Sequence, residues 1–253
     1  MTSVLKKNKK KIFFIIVLIT IVAVYIFNPY KLEYADYQSK VWAHRVNSLE
    51  KLNYTQKFYD GIELDLVFDS ITQTFDVNHP PDPTINLDLG TYFSNINNKE
   101  IKLWLDFKNL SETNAEKAAE ILDQLTQKHS LKSENILVES PEISCLQGFK
   151  NKGFKTSFYL PQLVGLSHES NLIPTVDSIK QLLVKYPTTG ISCNVNAYEV
   201  INEYFKEEKK YLWHIYKPYS RHQVKNYQDF RKYVSDPKVE AVLIQVALPV
   251  GNR

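Results

Sequence analysis

Eight short runs of strand-forming residues, spread over 253 positions, leave this chain few architectures. They begin near residues 40, 61, 101, 134, 154, 190, 211 and 239, and a helix-like stretch follows each of the first seven. Strands joined through helices run parallel, because a parallel pair needs a long crossover connection. A barrel of eight such units takes about 250 residues, so the pattern predicts a closed (β/α)8 barrel of the TIM type rather than an open sheet. Neither a solenoid-type repeat nor an interior linker interrupts it, and residues 40–253 read as one domain. One further strand-like piece, 74–78, precedes Pro80-Pro81, where two prolines end any ladder.

Two of the runs carry charge where a strand makes its position informative. In 61–68, Ile62, Leu64 and Leu66 share one face and Glu63, Asp65 and Val67 the other. In 101–108, Leu103, Leu105 and Phe107 oppose Trp104, Asp106 and Lys108. In a barrel the apolar set packs against the helices, so Glu63, Asp65, Asp106 and Lys108 are predicted to point inside. The clearest helix follows, with Thr113 and Glu116 as a capping box and Ala115, Ala118, Ala119, Leu122 and Leu125 as its apolar side.

Confined carboxylates repel one another and lose hydration. A hard divalent cation relieves both costs, and oxygen ligands suit Mg²⁺ or Ca²⁺. Glu63, Asp65 and Asp106 are therefore the candidate metal ligands, with Lys108 offsetting charge or holding a phosphate oxygen. His44 and His79 end two further strand-like runs and suit general acid and base work, since imidazole exchanges protons near neutral pH. Arg45 either clamps a phosphate bidentately or points outward, as neighbours on a strand do. The competing structural explanation is a buried salt-bridge network among Glu63, Asp65, Asp106, Lys108 and Arg45. Glu139, at a strand end, is a possible extra ligand. Trp213 reads as core and Trp104 as either core or pocket wall. His129, His168, His214 and His222 lack an acidic partner pattern, and Cys145 and Cys193 read as buried free thiols.

The chain opens differently. Five lysines crowd its first eleven residues, and an apolar run, Ile12 to Phe27, is broken only by Thr20. A bilayer-spanning helix needs about 20 apolar residues, and flanking Tyr30 and snorkelling lysines extend this one. The run ends in bulky residues, without the small-residue cleavage site of a signal peptide. The expected organisation is a basic cytoplasmic tail (1–11), a transmembrane signal-anchor (12–29), a polar tether (30–39) and an extracytoplasmic barrel (40–253). The formal net charge is +3, and setting aside the five amino-terminal lysines leaves about −2, which argues against a nucleic-acid partner.

These residues resemble the phospholipase-C-like phosphodiesterase superfamily, best known for its glycerophosphodiester phosphodiesterases. The resemblance lies in His44-Arg45, Glu63-Leu64-Asp65, His79 and Asp106-Phe107-Lys108. The stretches WAHRVNS (42–48), ELD (63–65), HPP (79–81) and LDFK (105–108) are similar most of all to the menorin family. The resemblance implies a TIM-like barrel and a divalent metal on Glu63, Asp65 and Asp106. It also implies His44 and His79 as acid and base, Arg45 and Lys108 at the phosphate, and a small phosphodiester or lipid-headgroup substrate. In the family mechanism a substrate hydroxyl beside the phosphorus attacks it, and water then opens the cyclic product. The chain departs from the main branch at Pro80, where Asp is usual, and at Asp106, where Glu is usual. The alternatives are a membrane-anchored barrel that binds metal or ligand without turnover, and an aldolase-type barrel. The latter would need an unpaired inward lysine, whereas Lys108 has Asp106 beside it.

Overall fold

The computed structural model describes residues 2–27, 32–160, 163, 169–213 and 223–248. The chain divides into two compact units, Met1–Gln38 and Ser39–Arg253. The first is helix α1 (Thr2–Phe27), followed by 3₁₀ turns over Leu32–Lys40 with a kink at Tyr37. The apolar side chains described in α1 are exposed on every face, from Ile12 and Phe13 to Ile21 and Val22. Among the described residues no helix is long and apolar enough to cross a membrane. Side chains of α1 are described only from Lys9 to Ala23, short of the roughly 20 residues a span needs.

The second unit is the expected barrel. Its strands are β1 (Val41–His44), β2 (Gly61–Asp69), β3 (Thr74–Val77), β4 (Lys102–Phe107), β5 (Ile136–Ser140), β6 (Lys155–Tyr159), β7 (Gly190–Asn194), β8 (Lys210–Trp213) and β9 (Val239–Gln245). They bond in the order β1-β9-β8-β7-β6-β5-β4-β2, and Ala43 against Ile62 closes the ring between β1 and β2. All eight ring strands are parallel; β3 folds back antiparallel on the outer end of β2. Between them lie α2 (Leu49–Thr55), α3 (Leu89–Ser94), α4 (Ala115–Lys128), α5 (Gln147–Asn151), α6 (Glu169–Lys185), α7 (Tyr198–Tyr204) and α8 (Gln223–Ser235).

The period-two pattern of each strand sorts its side chains. Ile62, Leu64, Leu66, Leu103, Leu105, Val138, Ile191 and Val242 are fully buried on the helix-facing side. Inside, Trp42, Trp104, Leu137, Tyr211, Ala241 and Leu243 form one cluster, with Trp213 packed against it. Trp104 meets Trp42 and Tyr211 edge-on, at 6.5 and 5.6 Å between ring centroids. This plug seals the barrel below the site. It also explains Gly61: a Cβ there would lie 2.2 Å from Cδ2 of Trp42, closer than atoms can approach.

One local expectation needs correction. The capping box at Thr113 and Glu116 does not form. The cap of α4 is Asn114, whose Oδ1 accepts from the Ser111 amide (2.9 Å) and whose Nδ2 donates to the Asn109 carbonyl (2.8 Å), while Thr113 pairs with Ser111. Helix α6, from Glu169 to Lys185, carries Pro174 within it. Cys145 and Cys193 are buried and unbridged.

Candidate active site

The carboxyl ends of the strands open into a cleft of about 130 Å³. It is lined by His44, Arg45, Glu63, Asp65, His79, Asp106 and Lys108 on one side and by Trp104, Glu139, Tyr159, Trp213 and Leu243 on the other. All seven residues singled out in the sequence meet there. Glu63 and Asp65 leave the inner face of β2, one residue apart, and both are 1% exposed. The β2–β4 register sets Asp65 directly beside Asp106. Among the described residues, Glu63, Asp65 and Asp106 form the one group of three whose ligand atoms lie within 4.8 Å of one another.

Main-chain geometry brings in the rest. Arg45 follows the last residue of β1 and adopts φ 52°, a left-handed conformation that breaks strand alternation. Both His44 and Arg45 can therefore line the cleft, which alternation alone forbids. The turn is held at three points. The Arg45 amide donates to Oε2 of Glu63 (2.6 Å), and Nζ of Lys51 donates to the carbonyls of His44 (2.7 Å) and Arg45 (2.8 Å). Ser48 caps α2 and so aims Lys51 back at the turn. The Arg45 guanidinium reaches Nε2 of His79 at 2.8 Å. His79 is delivered by the β2–β3 hairpin, whose return continues where the Asn78 amide donates to the Asp65 carbonyl.

Asn47 went unmarked in the sequence and has a defined job. Its Nδ2 donates to Oδ2 of Asp65 (2.6 Å) and its Oδ1 accepts from the Asp65 amide (3.0 Å). This fixes one carboxylate oxygen and leaves Oδ1, which Lys108 meets at 2.7 Å. Lys108 also bonds Asp106. Asn47 lies in the WAHRVNS stretch, just before Ser48 and helix α2. Tyr159 and Leu243, ordinary residues of apolar strands, carried no signal.

The electrostatics leave a deficit of positive charge. Lys108 bridges two carboxylates; burial opposes its ammonium, but Asp106 and Asp65 outweigh that and raise its pKa. Burial and then Asp65 and Asp106 push the Glu63 carboxyl well up, against the Arg45 amide and Lys108; the His44 ring stands 3.6 Å away. Burial also raises Asp106, despite Lys108. His44 is held neutral, its pKa lowered to about 3 by burial and by Arg45. A self-sufficient salt-bridge network would balance its charges. Here Glu63, Asp65, Asp106 and Glu139 face Arg45, Lys108 and Lys51, and Arg45 spends its guanidinium on a histidine while Lys51 is held by two carbonyls. With carboxylates outnumbering cations, the clustered oxygens suit one hard divalent cation.

Trp213 lines the cleft as well as packing on the core, with its ring 6.3 Å from that of Tyr159. Glu139 reaches the cleft but lies outside the three-carboxylate group. His129 sits away from the cleft, its ring against Phe93. His168, His214 and His222 lie outside the described residues.

No protein-family model matches the chain, and no curated protein matches it in sequence. Solved structures do resemble it. A phosphodiesterase of Oleispira antarctica, in complex with the product sn-glycerol-3-phosphate, superposes with a TM-score of 0.56 at 12% identity, over 83% of this chain and 94% of that one. The glycerophosphodiester phosphodiesterase of Thermotoga maritima gives 0.52 at 16% identity, over 81% and 93%. A Galdieria sulphuraria protein assigned as a glycerophosphodiester phosphodiesterase gives 0.58 at 16%, over 81% and 93%. At such low identity the likeness speaks to architecture: this chain has the barrel fold seen in those phosphodiesterases, along nearly their whole length.

Proposed function

We propose that this chain is a metal-dependent phosphodiesterase acting on a glycerophosphodiester or a (lyso)phospholipid-type diester. The observation that carries this reading is the meeting of Glu63, Asp65 and Asp106 within 4.8 Å, flanked by His44, His79, Arg45 and Lys108 at the carboxyl mouth of the barrel. The neighbours in fold support it, and so does the motif resemblance, whose finer, menorin-like assignment rests on the sequence stretches alone.

A divalent cation on Glu63, Asp65 and Asp106 would polarise a phosphoryl oxygen and make an oxygen nucleophile more acidic. The protein's own groups do the remainder. Arg45 and Lys108 bind the anionic phosphodiester, and Arg45 can turn to it from His79. Nε2 of His79 now accepts from Arg45, so its lone pair becomes free to take the proton of the attacking hydroxyl. His44, a neutral imidazole, is the other member of the pair: its ring N–H hydrogen-bonds the departing alkoxide, which receives the proton that His79 took. The plug of Trp42 and Trp104 excludes water from below.

The apolar run from Ile12 to Phe27, preceded by lysines, supports a membrane tether with the amino terminus in the cytoplasm and the barrel outside it. A tether suits a lipid-derived substrate.

The test uses the full chain stripped of metal, with glycerophosphocholine, glycerophosphoethanolamine and their lyso-lipids as substrates. Release of the alcohol is followed with Mg²⁺, Ca²⁺ or EDTA, beside His44→Ala. Turnover that needs both metal and His44 is expected. Metal binding without turnover of any diester would instead support a barrel that binds and does not react.

A further inference from the structure

The mechanism above leaves one side of the cleft unused, and that side is unfinished as a protein interior. Among the described residues four buried polar atoms there lack a well-formed hydrogen bond: Nε1 of Trp104, Oε2 of Glu139, Oγ of Ser157 and Oγ of Ser192, with the Trp104 N–H and the Ser192 hydroxyl only loosely steadying the Glu139 carboxylate. Trp104 and both serines are fully buried, and Glu139 is 2% exposed. They belong to four consecutive strands of the ring and share its inner face. Asp106, which shares a face with Trp104, stands beside Glu139; Glu139 stands beside Ser157; and Tyr159, two residues past Ser157, stands beside Ser192. Buried polar groups are normally paired, and each unpaired one forfeits its hydration with nothing in return. Four in one contiguous patch, opening on a cleft, describe a site that a ligand completes.

The chemistry of the patch narrows the ligand. Glu139 Oε2, Ser157 Oγ and Ser192 Oγ are three acceptors, one of them on a carboxylate. Among the described residues no lysine or arginine pairs with Glu139, since Lys108 is committed to Asp65 and Asp106. The walls above are the rings of Tyr159 and Trp213, with Trp104 beneath. A hydroxyl offers one donor and no charge. A quaternary ammonium offers charge and stacks on rings but donates nothing. A hard cation needs more oxygen charge than a single carboxylate. A primary ammonium brings one positive charge, three N–H donors and a short alkyl stem for the aromatic walls.

We propose that Glu139, Ser157 and Ser192 form a subsite for a primary ammonium group on one alcohol arm of the phosphodiester, with Tyr159 and Trp213 flanking its stem. This rests on the phosphodiesterase reading above and adds a selectivity to it. With a cleft of about 130 Å³, the arm is a short one.

The test is a binding comparison by calorimetry on the full chain with Mg²⁺, using phosphoethanolamine, phosphocholine and glycerol 3-phosphate. All three share a phosphate monoester and differ in the arm. Phosphoethanolamine is expected to bind at least about tenfold more tightly than either of the others. The near-isosteric Glu139→Gln should shrink that ratio to about threefold or less, and Ser157→Ala should reduce it by a smaller factor, in keeping with loss of a neutral rather than a charged acceptor. The wild-type ranking needs no variant, so a poorly folding mutant does not blunt the test. Equal affinities, a preference for phosphocholine, no binding of any ligand, or a preference that survives Glu139→Gln would overturn the subsite. An ammonium preference in binding, with no diester turned over, would keep the subsite and sink the phosphodiesterase reading. Turnover without an ammonium preference would do the reverse.

Discussion

The two sides of the cleft treat buried polarity in opposite ways. On the β1–β4 side nearly every charged group has a partner supplied by the chain: Asn47 and Lys108 for Asp65, Lys108 for Asp106, the Arg45 amide for Glu63, Arg45 for His79. On the β5–β9 side, among the described residues, Glu139 has no cation and only loose contacts with Ser192 and Trp104, and Ser157 has no partner. Low dielectric strengthens a completed network and penalises an incomplete one. The difference teaches where rigidity and selectivity reside. The paired side holds its geometry before any ligand arrives, as chemistry requires. The unpaired side gains most when a ligand comes, as discrimination requires.

The largest effect should come from the paired side. His44→Ala is expected to lower kcat/KM by about 10²–10⁴-fold, the range for losing a proton-transfer group, with metal affinity little changed. A loss of a few-fold in steady-state assays would remove His44 from the chemistry and break the division between the two sides. Asn47→Ala should act one step removed. Freed from Nδ2 at 2.6 Å, Asp65 can rotate, and metal affinity is expected to fall about 10–100-fold by calorimetric titration. Unchanged affinity would mean that Lys108 alone sets the carboxylate.

That asymmetry also governed what the sequence disclosed. Glu63, Asp65, Asp106 and Lys108 were legible because charges at i and i+2 in an otherwise apolar strand have one sensible explanation, an inner face with work to do. The eight-strand count was legible for a similar reason: period-two apolar runs spaced by helix-like stretches allow few closures. Arg45 stayed ambiguous because its direction depends on a left-handed φ, which residue identity at that position does not reveal. Ser157 and Ser192 were silent, since a lone serine in a short strand resembles any other. Their meaning comes from the β5–β6 and β6–β7 registers, which no single strand contains. The capping box failed because Asn114 could reach back to both Ser111 and Asn109, a loop contact that outcompetes Thr113.

A third prediction concerns metal and pH together. Burial and Asp65 raise the Glu63 carboxyl pKa, and burial raises Asp106, when no cation is present. A carboxyl whose folded pKa is raised favours the folded state below its unfolded value, and that contribution is lost as pH rises through the folded value. The metal-free protein therefore carries its greatest electrostatic burden at high pH, where a cation relieves it, while protons compete with the cation at low pH. The metal-induced rise in melting temperature should be larger at pH 8 than at pH 5.5. An equal rise at both would show that these carboxylates are not the ligands.

The smallest effect should come from a lysine that invites the wrong comparison. Lys210 is fully buried like a catalytic lysine, yet it faces outward from β8, and its Nζ makes no hydrogen bond. Its nearest acid is Asp236, at 3.7 Å. Asp236 does not depend on it: its carboxylate also accepts from the Tyr198 hydroxyl (3.0 Å) and the Lys238 amide (2.7 Å). Lys210→Met thus removes a poorly paired buried cation and leaves its partner satisfied, a trade that is often neutral or favourable. Stability should change by about 1 kcal/mol or less in either direction, a shift of roughly 2–4 °C at most in a domain of this size. Lys108→Met makes the opposite trade. It leaves Asp65 and Asp106 facing each other with no cation between them, and in EDTA it should cost about 3–5 kcal/mol, the range for unpairing a buried ion. Thermal melts of the two variants side by side decide the matter. If Lys210→Met unfolds the protein as readily as Lys108→Met, partner count does not separate a structural lysine from one held for chemistry, and the contrast between the two sides of the cleft loses its physical basis.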